Sequence, residues 1–144
     1  MFRDRKTKRE FYYLNVQMDE AGTTARGKSA ELVMQRIAEM TVEGNKSVIL
    51  TGGFHIPQTD QAYRLFTKDD VLKDCYTSAA YLFAENGTDN QADYHLYTDQ
   101  RSDHIFVTAQ TTVNAYAVLT DGYWTGNTRH TLSTHYPLFA RIVL

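Results

Sequence analysis

The chain has 144 residues, 42% of them hydrophobic and 22% charged, with two prolines. That is the size and make-up of one globular domain, able to bury roughly two-thirds of its unfolded surface. A formal net charge of −2 excludes a general electrostatic pull toward nucleic acid or anionic membrane. A lone cysteine, Cys75, excludes an internal disulfide and a thiolate zinc cage.

The first ten residues depart from that balance, with five basic side chains (Arg3, Arg5, Lys6, Lys8, Arg9) against Asp4 and Glu10, a net +3. Such a cluster serves either as a phosphate-contacting arm or as a solvated turn between two strands, and the turn is the expectation. Phe11–Val16 is a short aromatic and β-branched run that predicts a buried strand. From Ala25 to about Met40, Ala30, Val33, Ile37 and Met40 share one stripe, which predicts an amphipathic helix ending at Gly44 and Asn45. Ser47–Thr51 predicts a second strand, stopped by Gly52 and Gly53. Strand, helix and strand within about forty residues make a βαβ pattern with parallel or neighbouring strands.

Residues 58–83 read as two short helices, on Ala62, Leu65 and Phe66 and then on Val71, Leu72, Tyr76, Ala79, Ala80 and Leu82. Residues 85–93 read as a polar loop. Strands are expected at Tyr94–Tyr97, Asp103–Thr108, Val113–Leu119 and Leu138–Leu144, and a loop at Asp121–Thr134. The sum is an α/β fold of about six strands and three helices, with a mixed central β-sheet and helices on one face. Asn45-Lys46-Ser47 and Asn86-Gly87-Thr88 match the glycosylation triplet, but with no leader before them and no membrane-length apolar run the expected location is cytoplasmic.

Four short segments, in order, resemble one family. Asn15-Val16-Gln17-Met18-Asp19 resembles the N-T-H-L-D strand end of the endonuclease/exonuclease/phosphatase (DNase I-like) proteins. Leu50-Thr51-Gly52-Gly53-Phe54-His55 resembles their L-T-G-D-F-N, and Arg101-Ser102-Asp103-His104-Ile105-Phe106-Val107 their R-I-D-H-I-F-V. Ser133-Thr134-His135-Tyr136-Pro137-Leu138 resembles their S-D-H-Y-P-V. The resemblance covers nearly the whole chain and implies the carboxy-terminal half of a four-layer α/β sandwich. The first half of that fold normally supplies a glutamate metal ligand and an asparagine near the scissile phosphate.

The resemblance also marks what is altered. Gln17 stands where the family has a phosphate-contacting histidine, Gly53 where it has the aspartate that activates water, and His55 where it has an asparagine. Thr134 replaces an aspartate of the metal site. Asp103 and His135, the pair in which the carboxylate orients the imidazole, are retained, as is Asp19. The resemblance therefore implies a remnant catalytic dyad, Asp103 and His135, with Asn15, Gln17 and His55 on the substrate side.

Phosphate-ester hydrolysis needs an oriented water, positive charge against the developing oxyanion and a route for the leaving-group proton. Gly53 cannot take a proton from water, and losing one electrostatic group costs on the order of 100-fold to 1,000-fold. Two functional expectations follow. One is a catalytically degenerate interaction module that needs no cofactor. The other is a phosphoesterase that uses Asp103 and His135 with magnesium or manganese, with Asp19, or His55 beside His135, as ligands and the rest of its site from a partner chain. If His55, His104, His130 and His135 converged, imidazoles would favour zinc, copper or nickel. Against that, adjacent strand residues alternate, so His104 should face away from Asp103. Tyr12, Tyr13, Tyr94, Tyr97, Phe106, Tyr116 and Phe139 all fall on predicted strands, and a wet sheet face would expose a large apolar patch. The expected cover is an identical sheet in a two-fold dimer, or a separately encoded amino-terminal half.

Overall fold

The computed structural model describes residues 1–42, 46–83 and 85–144. The aromatic run becomes β2, Glu10–Gln17, and alternation along it sends Tyr12, Leu14 and Val16 to one face and Tyr13, Asn15 and Gln17 to the other. A two-residue strand β1, Phe2–Arg3, pairs antiparallel with its start, so the basic segment is the turn of a hairpin. Asp4 accepts backbone N–H bonds from Lys6 at 2.9 Å and Thr7 at 2.5 Å, which closes that turn.

Helix α1, Thr23–Thr41, buries Ala30 and Ile37 with Val33 and Met34 beside them, as the apolar stripe predicts. Its expected stop at Gly44 and Asn45 lies outside the described residues. Strand β3, Ser47–Gly53, runs parallel to β2 in register Phe11 to Ser47 through Gln17 to Gly53, which completes the βαβ unit. Strand β6, Asp103–Thr108, lies antiparallel to β3, and β4, Leu72–Asp74, antiparallel to β6. The resulting five-stranded sheet has the order β1-β2-β3-β6-β4 and is mixed.

Strand β7, Thr112–Val118, instead joins a second sheet, between β10 (Leu138–Val143) and β5 (Tyr81–Phe83). Two cores result. The first lies between the five-stranded sheet and the helices α1 and α2 (Gln61–Thr67), and holds Val48, Leu50, Phe54, Phe66 and Phe106. The second lies between the sheets, where Ile49, Ile105 and Val107 meet Val113, Tyr116, Val118, Leu138, Ala140 and Ile142.

That second core corrects one expectation. The sheet face over β3 and β6 is not open for a partner, because the chain's own second sheet covers it. The outer side of the second sheet is open instead: Tyr81 is 77% and Phe83 75% exposed, with Phe139 across Ala117 from Phe83. Phe2, Phe11 and Tyr13 make another aromatic patch on β1 and β2.

Three other readings give way to tertiary context. In residues 58–83 only α2 and the one-turn α3, Cys75–Ser78, are α-helical. Leu72–Asp74 is drawn into a strand by β6 and Tyr81–Phe83 by β7. Tyr94–Tyr97 is not a strand, because Asp93 accepts from His95 N at 2.9 Å and its carbonyl from Leu96 N at 3.1 Å, a local turn that competes with sheet pairing. The expected loop at Asp121–Thr134 contains a hairpin, β8 (Gly122–Thr125) and β9 (Thr128–Thr131), turned by Gly126 at φ 59° and Asn127. No helix among the described residues is long and apolar enough to cross a membrane.

Where β4 meets β6 the interior holds charge. The buried Asp74 accepts at Oδ2 from Arg101 at 2.7 Å and from the Tyr63 hydroxyl at 2.9 Å, and at Oδ1 from Tyr76 N at 2.9 Å. His104 Nε2 donates to the Ile56 carbonyl at 2.7 Å, leaving Nδ1 3.5 Å from Asp74 Oδ2. Arg101 also lies over the Tyr76 ring, 3.8 Å from its centroid. Burial alone would raise the Asp74 carboxyl, but the neighbouring His104 ring and the charge and hydrogen bond of Arg101 prevail and hold it at about 2.

A folded pKa below the unfolded one means stability present above the unfolded value and lost as pH falls through the folded one. Unfolding free energy should therefore fall by about 2 kcal/mol between pH 4 and pH 2 from this group, and an Asp74→Asn variant should lose that part of the slope in urea melts. Arg101→Ala, which strands a buried carboxylate, should cost about 3–5 kcal/mol at neutral pH.

Candidate active site

Strands β2 and β3 end side by side, and β6 begins beside them in the opposite direction. The registers put Gln17, Gly53 and Asp103 in one row across the three strands, on the face that carries Tyr13 and Asn15. Gly52 makes this close approach feasible. Its φ is 151°, and a Cβ there would meet the Val16 carbonyl oxygen at 1.9 Å, so no side chain fits. A Cβ on Gly53 would meet only the amide end of Gln17, at 2.5 Å from Oε1. Gln17 thus leans into the space where the family carries a carboxylate.

Asp103 and His135 are brought together as the resemblance implies. His135 Nδ1 donates to Asp103 Oδ2 at 2.7 Å, with both side chains partly exposed. That bond fixes the imidazole tautomer and turns Nε2 outward, ready to accept a proton or hydrogen-bond a substrate oxygen. The backbone around the pair is held by Thr88, which falls in the polar loop expected at residues 85–93. Thr88 is fully buried; its hydroxyl accepts from Ser102 N at 3.0 Å and Asp103 N at 3.2 Å, and its carbonyl from Tyr136 N at 2.8 Å. One residue therefore pins both sides of the dyad. The sequence signal for it is faint: a threonine after a glycine, Gly87, whose Cβ would strike the Gln100 carbonyl at 2.3 Å.

His55 also reaches the dyad. Its ring meets that of His135 edge-to-face at 5.7 Å, and its Nε2 lies 2.8 Å from Gln17 Nε2. With the amide nitrogen toward the ring, Gln17 donates and His55 keeps its proton on Nδ1. His55 adopts a left-handed backbone, φ 50°, a conformation uncommon for a residue with a side chain. Asn15 stands one row back. Its Oδ1 accepts from the Thr51 hydroxyl at 2.9 Å, which in turn accepts from the Tyr13 hydroxyl at 2.8 Å. A cleft of about 290 Å³ opens beside Asp103, lined by Tyr13, Thr51, Ile105, Tyr136 and Leu138.

The other expected metal-site groups do not converge. Asp19 accepts at Oδ1 from Ala21 N at 2.9 Å and from Gly22 N, so its carboxylate closes the turn into α1. His104 points to the helix side, among Phe54, Tyr63 and Phe106, as strand alternation requires. His130 stacks on Tyr123 in the β8–β9 hairpin at 5.1 Å. No group of three or more His, Cys, Asp or Glu among the described residues is placed to hold a metal ion. Magnesium or manganese wants several hard oxygen ligands, and here Asp103 is engaged with His135 while Gly53 and Thr134 carry no carboxylate. The donors of this chain do not by themselves fit either ion, nor do its histidines form a zinc cage.

With this geometry in hand, the likeness to solved structures is informative. A mannosyl-6-phosphatase of Bacteroides thetaiotaomicron superposes with a TM-score of 0.94 at 38% identity, over 99% of this chain and 54% of that one. The chain corresponds to the carboxy-terminal half of an endonuclease/exonuclease/phosphatase domain. A family protein from the same organism matches at TM-score 0.92 and 38% identity, over 97% of this chain and 53% of the other. One from Bacteroides vulgatus matches at 0.76 and 25%, over 99% and 52%. The chain thus spans about half the length of these relatives. No protein-family model and no curated protein matches the sequence.

The two neighbouring glycines at the rim should respond differently to one methyl group. Gly53→Ala should melt within a few degrees of the parent, because only the end of a glutamine must swing aside. Gly52→Ala should lose more than about 2 kcal/mol. Thr88→Val, which leaves two partly buried N–H groups without their acceptor, should cost about 1–2 kcal/mol, while Thr88→Ser should not; chemical denaturation of the purified variants checks all four.

Proposed function

We propose that this chain is a catalytically degenerate half of a phosphoesterase-type domain, acting as an assembly unit. The observation that carries this reading is the row Gln17–Gly53–Asp103, in which only Asp103 can carry negative charge. An attacking water placed against that row meets no free base at Gly53. Gln17 offers an amide in place of a protonatable ring.

The assembly part rests on the exposed aromatic groups. Tyr81, Phe83 and Phe139 line the outer face of the three-stranded sheet, and Phe2, Phe11 and Tyr13 form a separate patch on β1 and β2. Contiguous apolar faces of this kind are usually covered. The cover is a second copy in a two-fold arrangement or an amino-terminal half of the same fold.

A second reading is favoured by the dyad, which keeps its 2.7 Å bond despite the losses around it. Here the assembled protein hydrolyses a phosphate ester with Asp103 and His135, while a divalent cation held largely by the other half supplies Lewis-acid chemistry. Relatives of this type are typically metal-dependent. A sugar phosphate is then the substrate class to try first, since a relative at 38% identity is a mannosyl-6-phosphatase.

The two readings part in a single set of assays. Purified chain is offered mannose 6-phosphate and an activated phosphodiester with magnesium, manganese or zinc, beside a His135→Ala control. Metal-dependent turnover lost in that control would establish the enzyme reading; no turnover is what the degenerate reading expects, and confines the enzyme reading to a site completed by an amino-terminal half. Sedimentation at micromolar concentration should give a species larger than one chain. A monomer that melts cooperatively would end the assembly proposal.

A further inference from the structure

The β8–β9 hairpin and the turn before residue 96 enclose a second cleft, of about 560 Å³, within the range of small-molecule sites. Trp124 stands on its wall, 65% exposed. Arg129 lies opposite it across the hairpin and holds its guanidinium 3.8 Å over the Tyr94 ring. Asp93, His95, Asn127, Thr128 and His130 supply the remaining polar lining.

Two features mark this cleft as more than a gap between loops. Gln91 and Ala92 adopt successive left-handed conformations, φ 50° and 62°, where they deliver Asp93, Tyr94 and His95 to the wall. Neither residue favours that backbone, and such positions gather at functional sites. In addition, among the described residues Arg129 Nε is buried without a partner, and that guanidinium makes a single, long hydrogen bond, 3.4 Å from NH2 to the Thr120 carbonyl. Several of its five donors are left for a ligand.

The cleft neighbours the dyad. Asn90 N donates to the Thr134 carbonyl at 2.9 Å, and Asp89 bridges to His135. Tyr136, the residue after His135, lies within electrostatic reach of Tyr94, Arg129 and Asp93.

We infer that this cleft binds a neutral sugar ring, the non-phosphorylated part of a glycan whose phosphate end lies toward Asp103 and His135. An exposed indole offers a flat apolar face to the C–H side of a pyranose. Around it, Asp93 accepts hydrogen bonds, Arg129 donates them and Asn127 does both, a set suited to neighbouring hydroxyls. A nucleobase would stack on the same indole, but a polynucleotide needs basic side chains for its phosphates. Here one arginine faces one aspartate, with no net positive field. The inference takes the identity of its ligand from the sugar-phosphate reading, yet binding does not require catalysis.

Trp124 is the only tryptophan, so its fluorescence reports this cleft alone. Neutral mannotriose, titrated into the full chain, should shift that emission saturably. Trp124→Ala should abolish binding read by ligand-observed NMR, Trp124→Phe should retain part of it, and Asn127→Ala should weaken it at least about tenfold. His135→Ala should bind the trisaccharide as the parent does. If the chain hydrolyses no phosphate ester but mannotriose still binds, the glycan site stands while catalysis by this chain without an amino-terminal half falls. Absence of any response from folded protein at millimolar sugar would overturn the inference, as would binding of adenosine or a dinucleotide in preference to mannotriose.

Discussion

Asp74 sits at the junction of two cores, and its carboxylate ties β4 to three separate segments through side-chain and backbone donors. Through Arg101 it grips the segment that leads into β6, through Tyr63 it grips α2, and through Tyr76 it starts α3. Two residues after Arg101 comes Asp103, whose place in the candidate site is therefore set from inside the protein. A buried ion pair is a doubtful source of net stability, since desolvation opposes the attraction. What it does supply is geometry: the charges have few other arrangements in which all are satisfied.

The same principle explains which parts of the fold could be read in advance. Phe11–Val16, the stripe from Ala30 to Met40 and Ser47–Thr51 carry local patterns strong enough to name their elements, and β6, β7 and β10 are rich in β-branched and aromatic residues. Residues 71–83 show helix-like apolar spacing, but their neighbours overrule it: β6 offers Leu72–Asp74 an edge to pair with, and β7 offers one to Tyr81–Phe83. Tyr94–Tyr97 fails for the opposite reason. Its composition suits a strand, while Asn90 and Asp93 hold the backbone in turns. Nothing in a linear pattern announces that β7 leaves the central sheet to found a second one.

The candidate site divides in a similar way. The dyad was legible because motif similarity names both residues, although 32 positions separate them. Thr88 was not, since its role consists of accepting two backbone N–H groups from a strand far along the chain. The histidines were legible only as a list. Alternation explains why His104 turns inward, but the contact of His55 with His135 depends on the chain leaving β3 at Gly53 and turning left-handed at His55.

The contrast between Gly52 and Gly53 bears on how this rim stands in sequence space. Gly52 is locked by backbone: a methyl group there runs into a carbonyl that has nowhere to go. Gly53 is guarded only by a mobile amide. A side chain at position 53 therefore has first to displace the end of Gln17, not the backbone. The residues that do chemistry and the residues that hold the scaffold are thus different ones at this rim, so kinship in shape says little here about whether a chain turns over substrate.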